Sequence, residues 1–91
     1  MKLHELKILH KYLIDVSRGA KTFELRKNDR DYQVGDLIHF IDIREDGDMS
    51  ISTINDRELY MITYVLKDVE KYGLDKDYCI LAIKKLDIKE A

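Results

Sequence analysis

The hydrophobic period of this chain changes twice within its first 26 residues, and few folds accommodate both changes. From Met1 to Ile8 the residues alternate, with Leu3, Glu5 and Lys7 set against His4, Leu6 and Ile8, the two-residue period of a strand. Leu9, Tyr12, Leu13 and Val16 then fall at i, i+3, i+4 and i+7. That is the stripe of a short helix, expected over about residues 10–18, and Gly19 stands where a left-handed residue ends it. From Thr22 the alternation returns, with Phe23 and Leu25 on one side and Thr22, Glu24 and Arg26 on the other. This predicts a half-buried strand with a polar face.

Further along, 28–31 and 34–36 carry turn residues, and Leu37 to Ile43 is apolar on both sides at its start, as a central strand would be. Glu45 to Asp48 reads as a hairpin turn. Met49 to Ile54 reads as a short return strand or an irregular arm. Leu59 to Leu66 and Tyr78 to Ile83 are β-branched and aromatic strands. The polar stretch from Lys67 to Asp77 between them, with Gly73, holds at most a helical turn. With no proline, repeat or linker in 91 residues of which 45% are hydrophobic, the whole chain 1–91 is expected to form one domain. Its class is α+β: a small curved sheet or partly closed, mixed β-barrel of five to six strands with one early helix. A helical bundle does not fit.

Several functions are excluded. No apolar run approaches the roughly 20 residues of a membrane span, and Met1 to Glu5 lacks the apolar core of a signal peptide, so the cytoplasm is the expected location and no membrane partner is expected. The single Cys79 forms no internal disulfide, and three scattered histidines give no metal-ligand spacing; neither a metal nor a cofactor is expected. The net charge of −2 argues against non-specific coating of nucleic acid, which needs excess cations. Residues 1–35 nevertheless hold eight Lys and Arg against five Asp and Glu, while 36–91 hold eight against thirteen. An anion site belongs in the first half.

There, 19–30 concentrates polar side chains at meaningful spacing. Thr22, Glu24 and Arg26 project to one side of a strand in steps of about 7 Å, with Lys21 just before it. Arg26 offers a planar fork to a phosphate or base edge, Lys21 a point charge, and Glu24 an acceptor for an exocyclic amine or a brace between the cations. The alternative is that Glu24 and Arg26 simply neutralise one another. Lys27, Asn28 and Arg30 either grip a phosphate backbone or form a solvated turn broken by Asp29 and Asp31. Tyr32 either stacks a base or packs at the start of the next strand. His4 either faces the same cleft or is a hydrogen-bonded structural residue. Tyr60 and Tyr64 are expected in or near the core, Cys79 as a buried inert thiol, and Lys84, Lys85 and Lys89 on a solvated edge.

The run Gly19-Ala20-Lys21-Thr22-Phe23-Glu24-Leu25-Arg26 resembles the G-x-K-x-x-E-x-R signature of ASCH domains, relatives of the PUA fold. Residues 4–8 and 21–36 are similar to a compact, uncharacterised bacterial and phage-associated branch of that superfamily (DUF3850-like), and 63–66 and 78–83 resemble its closing strands. The resemblance implies a PUA-like β-barrel whose signature-lined cleft binds RNA or a modified nucleotide. It also implies a competing enzyme reading. Some small ASCH proteins are amidohydrolases of N4-acetylated cytidine, with a catalytic Lys matching Lys21 and a Thr where this chain has Glu24; others are ribonucleases. If the chain is an enzyme it is a hydrolase, with Lys21 as base and Glu24 or Thr22 assisting. The leading expectation is a binding module with ligand contacts from Lys21, Thr22, Glu24, Arg26, Lys27, Asn28, Arg30, Tyr32 and His4. A third possibility is a protein-interaction module, dimeric through its later strands.

Overall fold

In the computed structural model, which describes residues 1–44 and 58–86, strand β1 (Leu3–Leu9) passes directly into helix α1 (His10–Ser17). The expected hairpin turn at 45–48, the arm at 49–54 and Lys89 lie outside the described residues. His4, Leu6 and Ile8 point inward from β1, and Leu13 and Val16 inward from α1, so the two periods bury one shared stripe. Gly19, at φ 84°, stops the helix. The turn is held by the Gly19 N–H on the Val16 carbonyl and by the Ala20 and Lys21 N–H groups on the Asp15 carbonyl, which satisfies carbonyls the helix end would otherwise leave bare.

Strands β2 (Phe23–Lys27), β3 (Leu37–Ile43), β4 (Tyr60–Leu66) and β5 (Tyr78–Lys85) follow, with a short 3-10 turn at Val69–Tyr72 before β5. They form one mixed sheet in the order β1-β3-β4-β5-β2. β1 and β3 are parallel from Leu3 opposite Leu37 to Leu9 opposite Ile43. A parallel pair requires a crossover, and α1 and β2 lie within it. The other neighbours are antiparallel. β3 is flanked on both sides as expected, although it meets β4 only at Leu37–Met61 and Ile38–Tyr60. The sheet curls into a half-barrel around a core that includes Leu6, Ile38, Ile62, Leu81 and the edge-to-face pair Phe40–Tyr60, whose ring centroids are 5.3 Å apart.

Three expectations need correction. β2 faces the opposite way from a strand with a solvated polar side: Glu24 is buried while Phe23 and Leu25 are exposed. Tyr64 is 61% exposed rather than near the core. It is four residues from the buried Tyr60, but a register shift between Ile62 and Tyr64 inserts one residue and turns the later side chains over. Tyr12 belongs to the helical stripe by spacing, yet it is 43% exposed because the sheet reaches only Leu13 and Val16.

Candidate functional site

The two edge strands, β1 and β2, come within reach of each other's side chains as the sheet curls. Arg26 donates from Nη1 to the Lys7 carbonyl at 2.9 Å, and Arg30 donates from Nη1 to the Glu5 carbonyl at 3.1 Å. Glu5 and Lys7 are two residues apart, so both carbonyls face the open edge of β1. The guanidinium donors take the places that N–H groups of a further strand would fill. Between the edges lies an open cleft of about 500 Å³ lined by Lys7, Ile8 and Leu9 of β1, Tyr12 of α1, Lys21, and Phe23 to Arg26 of β2.

Glu24 sits at the back of this cleft and uses both carboxylate oxygens. Oε1 accepts from Lys21 Nζ, and Oε2 accepts from Arg26 Nη1 at 3.3 Å. Lys21 is carried in by the Gly19 turn. Its ammonium also donates to the Phe23 carbonyl at 2.6 Å and lies 4.7 Å from the Phe23 ring centroid and 5.8 Å from that of Tyr12. About a fifth of the Lys21 and Arg26 side chains stays exposed, against 6% for Glu24. Two cations thus share one buried carboxylate at the cleft wall, with Lys7 on the opposite strand, and the lining carries excess positive charge.

Of the residues expected in the site, Lys21, Glu24 and Arg26 are brought together. Thr22 is exposed and outside the lining. Lys27 and Asn28 are exposed beyond the cleft's end, where the Asn28 N–H bonds the Asp77 carbonyl at 2.7 Å, and Arg30 braces β1 as described. Tyr32 is corrected as a base-stacking candidate: it is buried, its ring centroid 4.8 Å from that of His4. Burial raises its hydroxyl pKa, against the pull of the Arg26 and Arg30 charges. His4 is likewise corrected as a cleft residue. It lies at the far end of β1 from the lining residues and bonds Asp36 Oδ2 from Nε2 at 2.8 Å.

Asp36 also accepts from the Lys2 and Gln33 N–H groups, each at 3.1 Å. Burial alone would raise its pKa, but these donors outweigh it and hold the carboxyl below its usual range. A second polar cluster, part-buried, ties the end of α1 to the sheet. Glu58 accepts from Ser17 Oγ at 3.0 Å and Tyr60 OH at 2.9 Å, and pairs with Lys85 at 3.0 Å. Those donors overcome its desolvation, lowering the Glu58 pKa, while burial and the Glu58 contact drive that of Tyr60 up. Cys79 is buried and its thiol pKa raised by desolvation, as befits an inert core thiol. Among the described residues no group of three His, Cys, Asp or Glu side chains is placed to hold a metal ion, and no helix is long and apolar enough to cross a membrane.

The cleft residues that sequence reasoning missed are Tyr12, Phe23, Leu25 and the β1 edge at Lys7 to Leu9. Tyr12 and Phe23 counted as core by their apolar spacing, and only the curl of the sheet brings β1 opposite β2. No curated protein matches the chain. Residues 3–83 match the family described as a domain of unknown function (DUF3850), which covers all five strands up to Ile83 of β5 as well as the cleft, and the chain belongs to that family.

Proposed function

We propose that the chain is a PUA-like, ASCH-type barrel and that its edge-strand cleft binds single-stranded RNA or a nucleotide. The observation that carries this reading is the convergence of Lys21, Glu24 and Arg26 on one open cleft of about 500 Å³, with the Tyr12 and Phe23 rings on its lining. A phosphate competes with Glu24 for the two cations. A base meets an aromatic rim on which it can stack, and the Glu24 carboxylate is an acceptor for an exocyclic amine. The cleft's openness suits a strand that passes through it.

The test is fluorescence anisotropy of a labelled single-stranded RNA oligonucleotide. Affinity falls with salt by a log–log slope near −0.7 for each phosphate neutralised. Arg26→Ala, which removes a charged hydrogen bond worth about 1.5–3 kcal/mol, weakens binding roughly tenfold to hundredfold. Unchanged affinity in a folded Arg26→Ala protein overturns the reading. An amine and a carboxylate side by side in the cleft, Lys21 and Glu24, support one competing reading, hydrolysis of an acylated nucleoside. Turnover of N4-acetylcytidine that disappears in Lys21→Ala would establish it in place of simple binding.

A further inference from the structure

The alternation that turns Glu24 and Arg26 into the half-barrel turns Phe23 and Leu25 out, so that they run from the rim of the cleft onto the convex face. The antiparallel register sets them in rows. Phe23 lies beside Ala82, which lies beside Tyr64, and Leu25 lies beside Ile80. Phe23, Leu25, Tyr64 and Tyr78 are 49%, 46%, 61% and 37% exposed. Sheets with one solvated face normally carry polar side chains on it, and a contiguous apolar patch across three strands marks an interaction surface.

The patch is asymmetric along the strands. At one end Tyr64 and Phe23 project. At the other lies a shallow hollow of about 300 Å³ lined by Leu25, Leu74, Asp75 and Tyr78. Along β5, Ala82 and Tyr78 are separated by about 13 Å at the usual rise, with Ile80 midway. We propose that this convex face is the interface of a two-fold symmetric homodimer. A two-fold axis near Ile80 lays each copy's projecting aromatic row over the other's hollow, the reciprocal contact an isologous interface demands.

Charge follows the same symmetry. Lys84 faces outward two residues beyond Ala82, while Asp75 borders the hollow at the opposite end. The axis that seats the aromatics therefore brings Lys84 of each copy toward Asp75 of the other. The area sets the strength of the contact. Aromatic side chains bury about 150–250 Å² each. At the exposures above, the patch offers roughly 400 Å² of apolar surface per copy, about 800 Å² for the pair, short of the roughly 1,200 Å² of standard specific interfaces. The dimer is accordingly weak and concentration-dependent. It shares Phe23 and Leu25 with the rim of the nucleotide cleft, but Tyr64, Tyr78, Lys84 and Asp75 lie outside that lining, so its test does not depend on that reading.

The experiment is sedimentation velocity on the full chain from micromolar to millimolar concentration. The expected result is a monomer–dimer equilibrium. Tyr64→Asp, at a side chain exposed enough to leave folding intact, weakens it roughly tenfold or more, as loss of an aromatic anchor does. Lys84→Glu and Asp75→Lys each weaken it, and the double variant recovers much of the loss. Val34→Asp, equally exposed but in the turn before β3, leaves it unchanged. A chain that stays monomeric throughout, whether because its own remaining residues cover the face or because nothing does, overturns the proposal. So does a dimer indifferent to Tyr64→Asp and to the charge swap.

Discussion

The two edge strands of the sheet read alike in sequence and are built in opposite senses. β1 buries Leu6 and Ile8 with His4 and turns Glu5 and Lys7 outward, as an amphipathic strand should. β2 buries Glu24, half-buries Arg26 and leaves Phe23 and Leu25 outside. Burial of apolar area decides the first orientation. In the second, a carboxylate is taken into the half-barrel because two cations meet it there, and the apolar side chains are left for another surface. Alternation establishes that a strand has two faces. Which face turns inward depends on what waits in the interior.

The contrast makes a large, measurable difference in stability. Leu6 is fully buried, and Leu6→Ala should cost about 2–5 kcal/mol in denaturant unfolding, the usual cost of a core truncation. Leu25→Ala on β2, measured at dilutions where the chain is monomeric, should stay within about 1 kcal/mol. Equal losses at the two positions would remove the distinction. Glu24→Ala should lie between them at about 1–3 kcal/mol, because Lys21 keeps the Phe23 carbonyl, Arg26 keeps the Lys7 carbonyl, and both side chains still reach water. A cost as large as that of Leu6→Ala would mean that the charged strand is as much a core element as the apolar one.

The smallest effect is electrostatic. Asp36, hydrogen-bonded to His4 of β1, has its pKa held below the usual value. Its ionised form therefore adds stability that is present above about pH 4 and lost as the pH falls through the lower folded value. Glu58 acts in the same direction. Asp36→Asn should flatten part of the acid-side decline in urea midpoint and leave the share due to Glu58. An unchanged decline would show that the β1 end gains nothing from that carboxylate's charge.

Much of this architecture is legible locally. The helix, its glycine stop and the strands at 37–43, 60–66 and 78–85 follow from period and turn chemistry, because each depends on neighbours within a few residues. The convergence of Lys21, Glu24 and Arg26 was legible for the same reason: a strand and the turn before it set their spacing. What escaped is long-range. The bonds from Arg26 to Lys7 and from Arg30 to Glu5 span 19 and 25 residues, and no local pattern announces them. The register shift after Ile62 is a backbone irregularity without a glycine to mark it. His4 and Tyr32 look like free polar and aromatic candidates until the sheet folds one ring against the other.

Arg26 is attached at once to the backbone of one sheet margin and to the carboxylate of the other. A guest that takes over the Nη1 donors loosens one of those attachments, whereas one that binds Nε or Nη2 leaves both in place. Filling the groove and slackening the join between the two margins would then coincide only for the first kind of guest.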